Sequence, residues 1–206
     1  MSYFPMFVEL QSRKCLVVGG GRMALHKVRV LREFGASIYL VAPEILDEIK
    51  EMADVAWEER AFCPADVSGM KLVVAATGDK EQNHQVAHIC RQQKIPVNAV
   101  DQIEDCSFLF PSYLKQGEVV AAFSSGGQSP VVTQYLKERA RPFVTGHLGR
   151  MAAFLGDLRK TVKQCVRRQE KRKYVYRELL QRGLEREELP AEEEVRTVIQ
   201  KYREEV

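Results

Sequence analysis

Apolar and polar positions in the first half of the chain alternate between two periods. Residues 14–19 and 70–79 are short, almost continuous apolar runs, which are typical of strands covered on both faces. Residues 22–34 instead carry apolar side chains at the spacing of a helix face. Further strands are predicted over 35–43, 54–62 and 95–101, and further helices over 44–52 and 79–93. This order predicts a parallel sheet with right-handed crossovers, so residues 1–112 are expected to form one α/β domain.

The pattern changes after residue 112. Residues 107–127 are predicted to form strands joined by a turn at Gln116-Gly117, and a helix is predicted to begin with Ser129 as its N-cap. Helical spacing continues beyond Thr145, and the final stretch, 184–206, alternates acids and bases as expected for an exposed helix. The sequence therefore predicts three parts, which are the α/β domain 1–112, a central α+β segment 113–145 and a small helical domain 146–206.

Three consecutive glycines lie between the first predicted strand and the first predicted helix. The stretch from Gly19 to Ala24 reads GGGRMA and fits the pattern G-x-G-x-x-A. In this pattern the first glycine permits a tight turn, the second lets backbone approach a pyrophosphate, and the small last residue lets the helix pack on the strand. The helix N-terminus adds unpaired N–H groups and the positive end of its dipole. This context predicts a dinucleotide-binding domain of the Rossmann type; the alternative is a glycine turn that only reverses the chain.

The second strand departs from the usual pattern of such domains. An acid normally ends that strand and binds the ribose hydroxyls, but here the strand ends in VAP and the first acid is Glu44. The backbone of Pro43 and Glu44 is expected to take that role. The motif does not decide between NAD and NADP, because Arg22 is compatible with either. The residues expected to bind the cofactor are Gly19, Gly20, Gly21, Arg22, Met23, Ala24, Pro43, Glu44, Thr77 and Asn98.

Composition narrows the class of protein. The 206 residues carry a net charge of +3, include no apolar run of membrane-spanning length and begin without a signal-peptide pattern, so we expect a cytoplasmic protein. The five cysteines are scattered, without the C-x-x-C spacing of a zinc site. His84 and His88 share a face of a predicted helix, but no third ligand is evident, so no metal site is predicted.

One segment of the chain is strongly basic. Residues 159–177 contain nine Lys or Arg residues and one acid. Such a segment can bind nucleic acid, attract an acidic substrate or form a solvated helix face. We favour the solvated face with some contribution to steering, because no motif that reads DNA accompanies it.

Three further stretches resemble one known family. PMFVEL before the first strand, VNAVD followed by CSFLFPS, and VVAAFSSGGQSPVV are similar to the N-terminal module of siroheme synthase and to its stand-alone relatives, the precorrin-2 dehydrogenases. The similarity runs from Pro5 to about Arg168. It implies an NAD-binding Rossmann domain, a central segment through which two subunits interlock in a homodimer, and a small helical domain. It also implies oxidation of the tetrapyrrole precorrin-2 to sirohydrochlorin, into which some members then insert ferrous iron.

Asp101 is the residue expected to carry the catalysis. It follows a predicted strand and so lies at the carboxyl end of a parallel sheet, where such sheets bind ligands. Oxidation of the substrate releases a proton as well as two electrons, and a carboxylate is a suitable proton acceptor. The resemblance places the family's key aspartate at this position. The alternative is structural, since Asp101 and Glu104 have the spacing of a capping box.

A serine- and glycine-rich loop precedes the helix that begins at Ser129. Ser124, Ser125, Gly126 and Gly127 offer backbone amides and hydroxyls that can cradle carboxylates. The substrate that the resemblance implies is rimmed with acetate and propionate groups, so this loop is expected to bind it. The alternative is a flexible connector before a capped helix. His147, at the entry to the C-terminal helices, is expected to have no chemical role.

Two alternative functions remain open from the sequence. One is a bifunctional enzyme that also inserts ferrous iron into sirohydrochlorin, because Asp101 could also deprotonate pyrrole nitrogens. The other is an NADH-sensing transcription regulator, although the basic helices lack the short glycine turn of a helix-turn-helix reader. We therefore expect an enzyme with a tetrapyrrole substrate and NAD as cofactor, and no nucleic-acid or membrane partner.

Overall fold

The structure is a computed structural model that describes residues 3–203 and divides into two compact units. Unit 1 extends to Phe110, and unit 2 begins at Pro111. The finer division of the second half at residues 145 and 146 stays a prediction.

Unit 1 is a five-stranded sheet with helices on both faces. Its elements are β1 (Lys14–Val18), α1 (Arg22–Glu33), β2 (Ser37–Ala42), α2 (Asp47–Lys50), β3 (Val55–Glu59), a 3-10 turn (Pro64–Val67), β4 (Leu72–Ala75), α3 (Lys80–Gln92), β5 (Val97–Ala99) and a second 3-10 turn (Ile103–Asp105). The strand order is β3-β2-β1-β4-β5, and every neighbouring pair is parallel. The predicted α/β fold with a Rossmann-type parallel sheet is therefore confirmed.

The central strand β1 is apolar throughout because both of its faces are covered. Cys15 and Val17 point into one cluster with the buried face of α1, whereas Leu16 and Val18 point into a second cluster with α3. Successive side chains of a strand alternate between the faces of a sheet, so a strand buried on both sides needs an unbroken apolar run.

The strand order reverses beside β1. The chain passes from β1 outward to β2 and β3, then returns to the other side of β1 to form β4 and β5. The loops that leave β1 and β4 therefore diverge at the carboxyl edge of the sheet. Such a reversal opens a crevice, which is where sheets of this type bind ligands.

Unit 2 combines a hairpin with a helical bundle. Its elements are β6 (Ser112–Gln116), β7 (Val119–Phe123), α4 (Pro130–Ala140), α5 (Gly146–Asp157), α6 (Arg159–Cys165), α7 (Gln169–Arg186) and α8 (Glu192–Tyr202). Strands β6 and β7 are antiparallel, and α4 packs against them. A separate core joins α6, α7 and α8 through Val162, Leu179 and Val198.

Three predicted features differ from the structure. The helix predicted over 44–52 is limited to Asp47–Lys50. The helical region beyond Thr145 is interrupted between α6 and α7 and again between α7 and α8. Helix α8 is not simply exposed, because Val195, Val198 and Ile199 are buried. No helix within residues 3–203 has the length and apolar character needed to cross a membrane.

Candidate functional site

A cavity of about 510 Å³ opens at the carboxyl edge of the unit 1 sheet. It lies where the strand order reverses, so its position agrees with the general rule for ligand sites in such folds. Its lining comes from the ends of β1 and β2, from the loops after β1, β2, β3 and β4, and from the first turn of α3. The lining residues are Val18, Gly19, Gly20, Gly21, Val41, Ala42, Pro43, Glu44, Ile45, Leu46, Phe62, Thr77 and Gln82.

Gly19 and Gly20 are required by close backbone packing. Gly19 has φ +123°, and a Cβ there would overlap the carbonyl oxygen of Ala76, the residue after β4. A Cβ on Gly20 would overlap the carbonyl oxygen of Glu44 in the loop after β2. Two backbone hydrogen bonds hold this arrangement, from Gly19 N to the Val41 oxygen at 2.9 Å and from Leu46 N to the Gly20 oxygen at 3.0 Å.

Gly21 has a different role, because its α-carbon faces open space. It has φ −86°, and a Cβ there would meet no atom within 4 Å. It is the N-cap of α1, and no side chain caps the helix or places an acid in its first turn. The first N–H groups of α1 are therefore available to an anionic group beside Gly21. This arrangement suits the pyrophosphate of a dinucleotide.

Gly19→Ala is expected to lower the free energy of unfolding by about 2 kcal/mol or more, since it adds both a clash with Ala76 and an unfavourable backbone conformation. Gly21→Ser is the matched control and is expected to stay within about 0.5 kcal/mol, because serine is a good N-cap and nothing obstructs it. Urea unfolding of both variants measures the difference. Equal stabilities would contradict the assigned roles of these glycines.

The loop after β2 provides the charge of the cavity. Pro43 and Glu44 are both exposed and line it, two positions that the sequence predicted. Among the described lining residues Glu44 is the single charged side chain. A carboxylate in this position can accept hydrogen bonds from ribose hydroxyls and repels a 2′-phosphate.

The loop after β4 is fixed by a residue that sequence reasoning missed. Thr77, a predicted site residue, lines the cavity, and its Oγ1 donates to Asn83 Oδ1 at 2.9 Å. The Thr77 backbone N–H also donates to Asn83 Oδ1 at 3.1 Å. Asn83 is buried in α3. The sequence does contain a clue to this role, because Asn83 is a polar residue on the apolar face of a predicted helix. A polar side chain is rare at such a position unless it has hydrogen-bond partners.

Four other predicted cofactor residues are absent from the cavity lining. Arg22 and Met23 are exposed in the first turn of α1, whereas Ala24 is buried and lets the helix pack on the sheet. Asn98 lies in β5 with its amide donating to the Phe108 carbonyl at 3.1 Å. The structure thus brings together six of the predicted set, Gly19, Gly20, Gly21, Pro43, Glu44 and Thr77.

Asp101 lies exposed at the same edge of the sheet, directly after β5. Its φ is +60°, in the left-handed region that aspartate and asparagine tolerate better than most residues. The adjoining 3-10 turn begins at Ile103 with Gln102 as N-cap and no side-chain cap bond. The capping box proposed as the structural alternative for Asp101 and Glu104 is therefore not formed.

A buried carboxylate anchors the turn that carries Asp101. Asp105 accepts from His84 Nδ1 at 2.9 Å, from Arg91 Nη2 at 3.2 Å and from Gln102 Nε2 at 3.2 Å. These partners tie the turn to α3 and explain why His84 does not join His88, which contacts Gln92 instead at 2.9 Å. The hydrogen bonds of Asp105 therefore hold the turn in place, and this fixed turn stabilises the left-handed backbone conformation of Asp101.

In unit 2 the predicted substrate loop forms a compact turn. Gly126 and Gly127 have φ values of +65° and +82°. The Ser125 hydroxyl accepts from Ser129 N at 2.9 Å, and Ser124 Oγ accepts from Gly126 N at 3.1 Å. Ser129 caps α4 as predicted, accepting from Val132 N at 3.4 Å. Positive φ values are unfavourable for residues with a side chain, so this turn requires glycine at both positions.

Two further sequence features have structural partners in unit 2. His147 Nε2 contacts the Gly183 carbonyl at 2.9 Å, while its Nδ1 is buried without a partner among the described residues. The basic segment 159–177 covers α6 and much of α7, and most of its Lys and Arg side chains are exposed.

Comparisons with known proteins agree with this geometry. A siroheme synthase of Nitrosomonas eutropha is 36% identical over 185 residues, which cover 88% of this chain and 39% of that protein. A siroheme synthase of Thioalkalivibrio sulfidiphilus is 39% identical over 184 residues, which cover 88% of this chain and 38% of that protein. The chain thus spans about two fifths of the length of these relatives.

A solved structure described as "SirC, precorrin-2 dehydrogenase" shares the fold, with a TM-score of 0.72 and 22% identity over 97% of this chain and 98% of that one. Residues 147–206 match the family described as "Sirohaem synthase dimerisation region". These matches confirm the resemblance to the siroheme synthase module. Residues 6–112, more than half of the chain, match the family described as "Putative NAD(P)-binding". The chain therefore belongs to this NAD(P)-binding family, and its second half carries the dimerisation region of the siroheme synthases.

Proposed function

We propose that this protein is an NAD-dependent precorrin-2 dehydrogenase that converts precorrin-2 to sirohydrochlorin. The observation that carries the proposal is the presence of two features at one edge of the sheet, the glycine-lined cavity and the exposed carboxylate of Asp101 after β5. Similarity to siroheme synthases and to a solved precorrin-2 dehydrogenase supports the choice of substrate.

The cavity suits NAD in shape and in charge. The open face of Gly21 and the uncapped start of α1 would hold the pyrophosphate, and Glu44 would accept bonds from the ribose hydroxyls. We favour NAD over NADP because the described lining contains a carboxylate and no Lys or Arg that would pair with a 2′-phosphate. When bound, NAD supplies the two-electron acceptor of the reaction.

Asp101 would accept the proton that the oxidation releases. Precorrin-2 loses two electrons and two protons; one proton leaves with the electron pair, and the other is taken by the Asp101 carboxylate, which becomes a neutral carboxylic acid. The proton then passes to water, which returns Asp101 to its ionised form. The exposure of Asp101 allows both contact with a large substrate and release of the proton.

We also propose a homodimer that binds the substrate carboxylates at the Ser124–Gly127 loop. Helix α4 buries none of its residues, and Val131, Tyr135 and the nearby Phe143 are exposed by 78%, 63% and 76%. An apolar surface of this kind is typical of an interface.

A cytoplasmic location agrees with the free cysteines, since Cys63 is an exposed thiol.

The test is to incubate the protein anaerobically with precorrin-2 and NAD and to follow NADH together with the sirohydrochlorin spectrum. The proposal expects both products in equal amounts, with little activity when NADP replaces NAD. Binding of NAD without formation of either product would overturn the proposed reaction and leave only the binding function.

A further inference from the structure

The backbone of the turn after β5 is hydrogen-bonded on both sides of Asp101. Before it, Val100 N donates to the Ala75 carbonyl at the end of β4 at 2.9 Å. After it, Gln102 N donates to the Ala99 carbonyl at 3.3 Å, and Gln102 is buried. Asp101 itself is exposed, with φ +60°. A movement of Gln102 would therefore change the backbone of Asp101 and the direction of its carboxylate.

The side chains of Gln102 and Asp105 connect this turn to α3. Gln102 Nε2 donates to the Lys80 carbonyl at 3.1 Å and to Asp105 Oδ2 at 3.2 Å. Asp105 N donates to the Gln102 carbonyl at 3.1 Å. Asp105 is 2% exposed, and a carboxylate buried to this extent is costly unless it is paired. The partners of Asp105 on α3 therefore hold the whole turn.

Two side chains of α3 reach this carboxylate. His84 Nδ1 lies 2.9 Å from Asp105 Oδ2, and Arg91 Nη2 lies 3.2 Å from Asp105 Oδ1. An ionised carboxylate only accepts hydrogen bonds, so Nδ1 of His84 carries the hydrogen and donates it. The His84 side chain is 53% exposed, so replacing it leaves no cavity in the core. His84 is thus the accessible end of a chain of contacts that leads to the turn of Asp101.

We propose that His84 is a positioning residue for catalysis, which acts through Asp105 and Gln102 to hold the turn that presents Asp101. The effect on turnover rests on the proposed function, whereas the effect on the turn does not. A proton acceptor must be aligned with the bond that it breaks, and a misplacement of about 1 Å costs about 10²-fold in rate. A turn released from α3 would lose this alignment.

The cofactor cavity is held by other contacts. Neither His84 nor Asp105 is among the residues that line it. Its Thr77 loop is fixed by Asn83, whose Oδ1 accepts from both the N–H and the hydroxyl of Thr77. Loss of the His84 contact is therefore expected to affect kcat and not NAD affinity, a separation that a general loss of stability would not produce.

The hold on the turn can be tested without substrate or cofactor. Amide hydrogen exchange, followed by NMR, reports opening of the turn through the N–H groups of Gln102 and Asp105. His84→Ala is expected to speed their exchange about tenfold or more, because a hydrogen bond to a charged group is lost. His88→Ala is the matched control, since His88 lies one turn further along α3 and contacts Gln92 instead. Equal exchange in His84→Ala and His88→Ala would overturn the hold.

The catalytic consequence is tested by kinetics on the same protein. His84→Leu keeps the bulk of the side chain without a donor and is expected to lower kcat about tenfold, with unchanged NAD affinity. His84→Asn is expected to recover most of the rate, because its amide N–H can replace the Nδ1–H of the imidazole. Wild-type kcat in His84→Leu, or equal losses in both variants, would overturn the positioning role. If the wild-type protein itself fails to oxidise precorrin-2, the proposed function fails, but the exchange measurement still decides the hold on the turn.

Discussion

Asp101→Asn is expected to lower the turnover of precorrin-2 by about 10²- to 10⁴-fold, the range that general-base catalysis contributes. Asparagine has nearly the same shape as aspartate but cannot take up the proton that the substrate releases. It also tolerates the left-handed backbone at this position, where φ is +60°, so the turn is expected to keep its conformation. Steady-state assays with NAD measure the loss in kcat.

Two controls separate a chemical effect from a structural one. NAD affinity, measured by calorimetry on Asp101→Asn, is expected to match the wild type because Asp101 is not among the residues lining the cavity. Glu104→Gln removes an exposed carboxylate from the same turn and is expected to leave kcat within about twofold. Wild-type turnover in Asp101→Asn would show that another group accepts the proton.

The fold could be predicted from sequence because its signals are local. The apolar run of β1 needs no partner to be recognised as a strand covered on both faces, and GGGRMA follows it directly. The apolar spacing of Val195, Val198 and Ile199 also indicated a buried face for α8, and the alternating charges around it obscured that signal. The boundaries of short elements such as α2 were less predictable, since single turns of helix depend on tertiary contacts.

The candidate site was only partly predictable, because several of its residues act through distant partners. The motif identifies Gly19 and Gly21, but only the structure shows that Gly20 is required by the carbonyl of Glu44, more than 20 residues later. Asn83 supports Thr77 across the start of a helix. Such pairs become visible only when the chain is folded.

Gly21→Asp is expected to weaken NAD binding by about 10²- to 10³-fold without unfolding the protein. The new side chain would extend into the open space beside the start of α1, where the pyrophosphate is proposed to lie. Two like charges about 4 Å apart repel by about 4 kcal/mol near a protein surface, which corresponds to this loss in affinity. Aspartate is also a favourable N-cap, so it would occupy the helix N–H groups that the phosphates need.

The stability of Gly21→Asp makes this test specific to the cofactor. Since no atom lies within 4 Å of the added Cβ, its unfolding midpoint in urea is expected to stay close to that of the wild type, unlike the midpoint of Gly19→Ala. Gly156→Asp is the matched control, because Gly156 lies exposed in α5 with open space at its Cβ position and receives the same charge far along the chain from the glycine loop. It is expected to bind NAD normally. Unchanged NAD affinity in folded Gly21→Asp would show that the cofactor does not lie against α1, and equal losses in both variants would assign the effect to net charge.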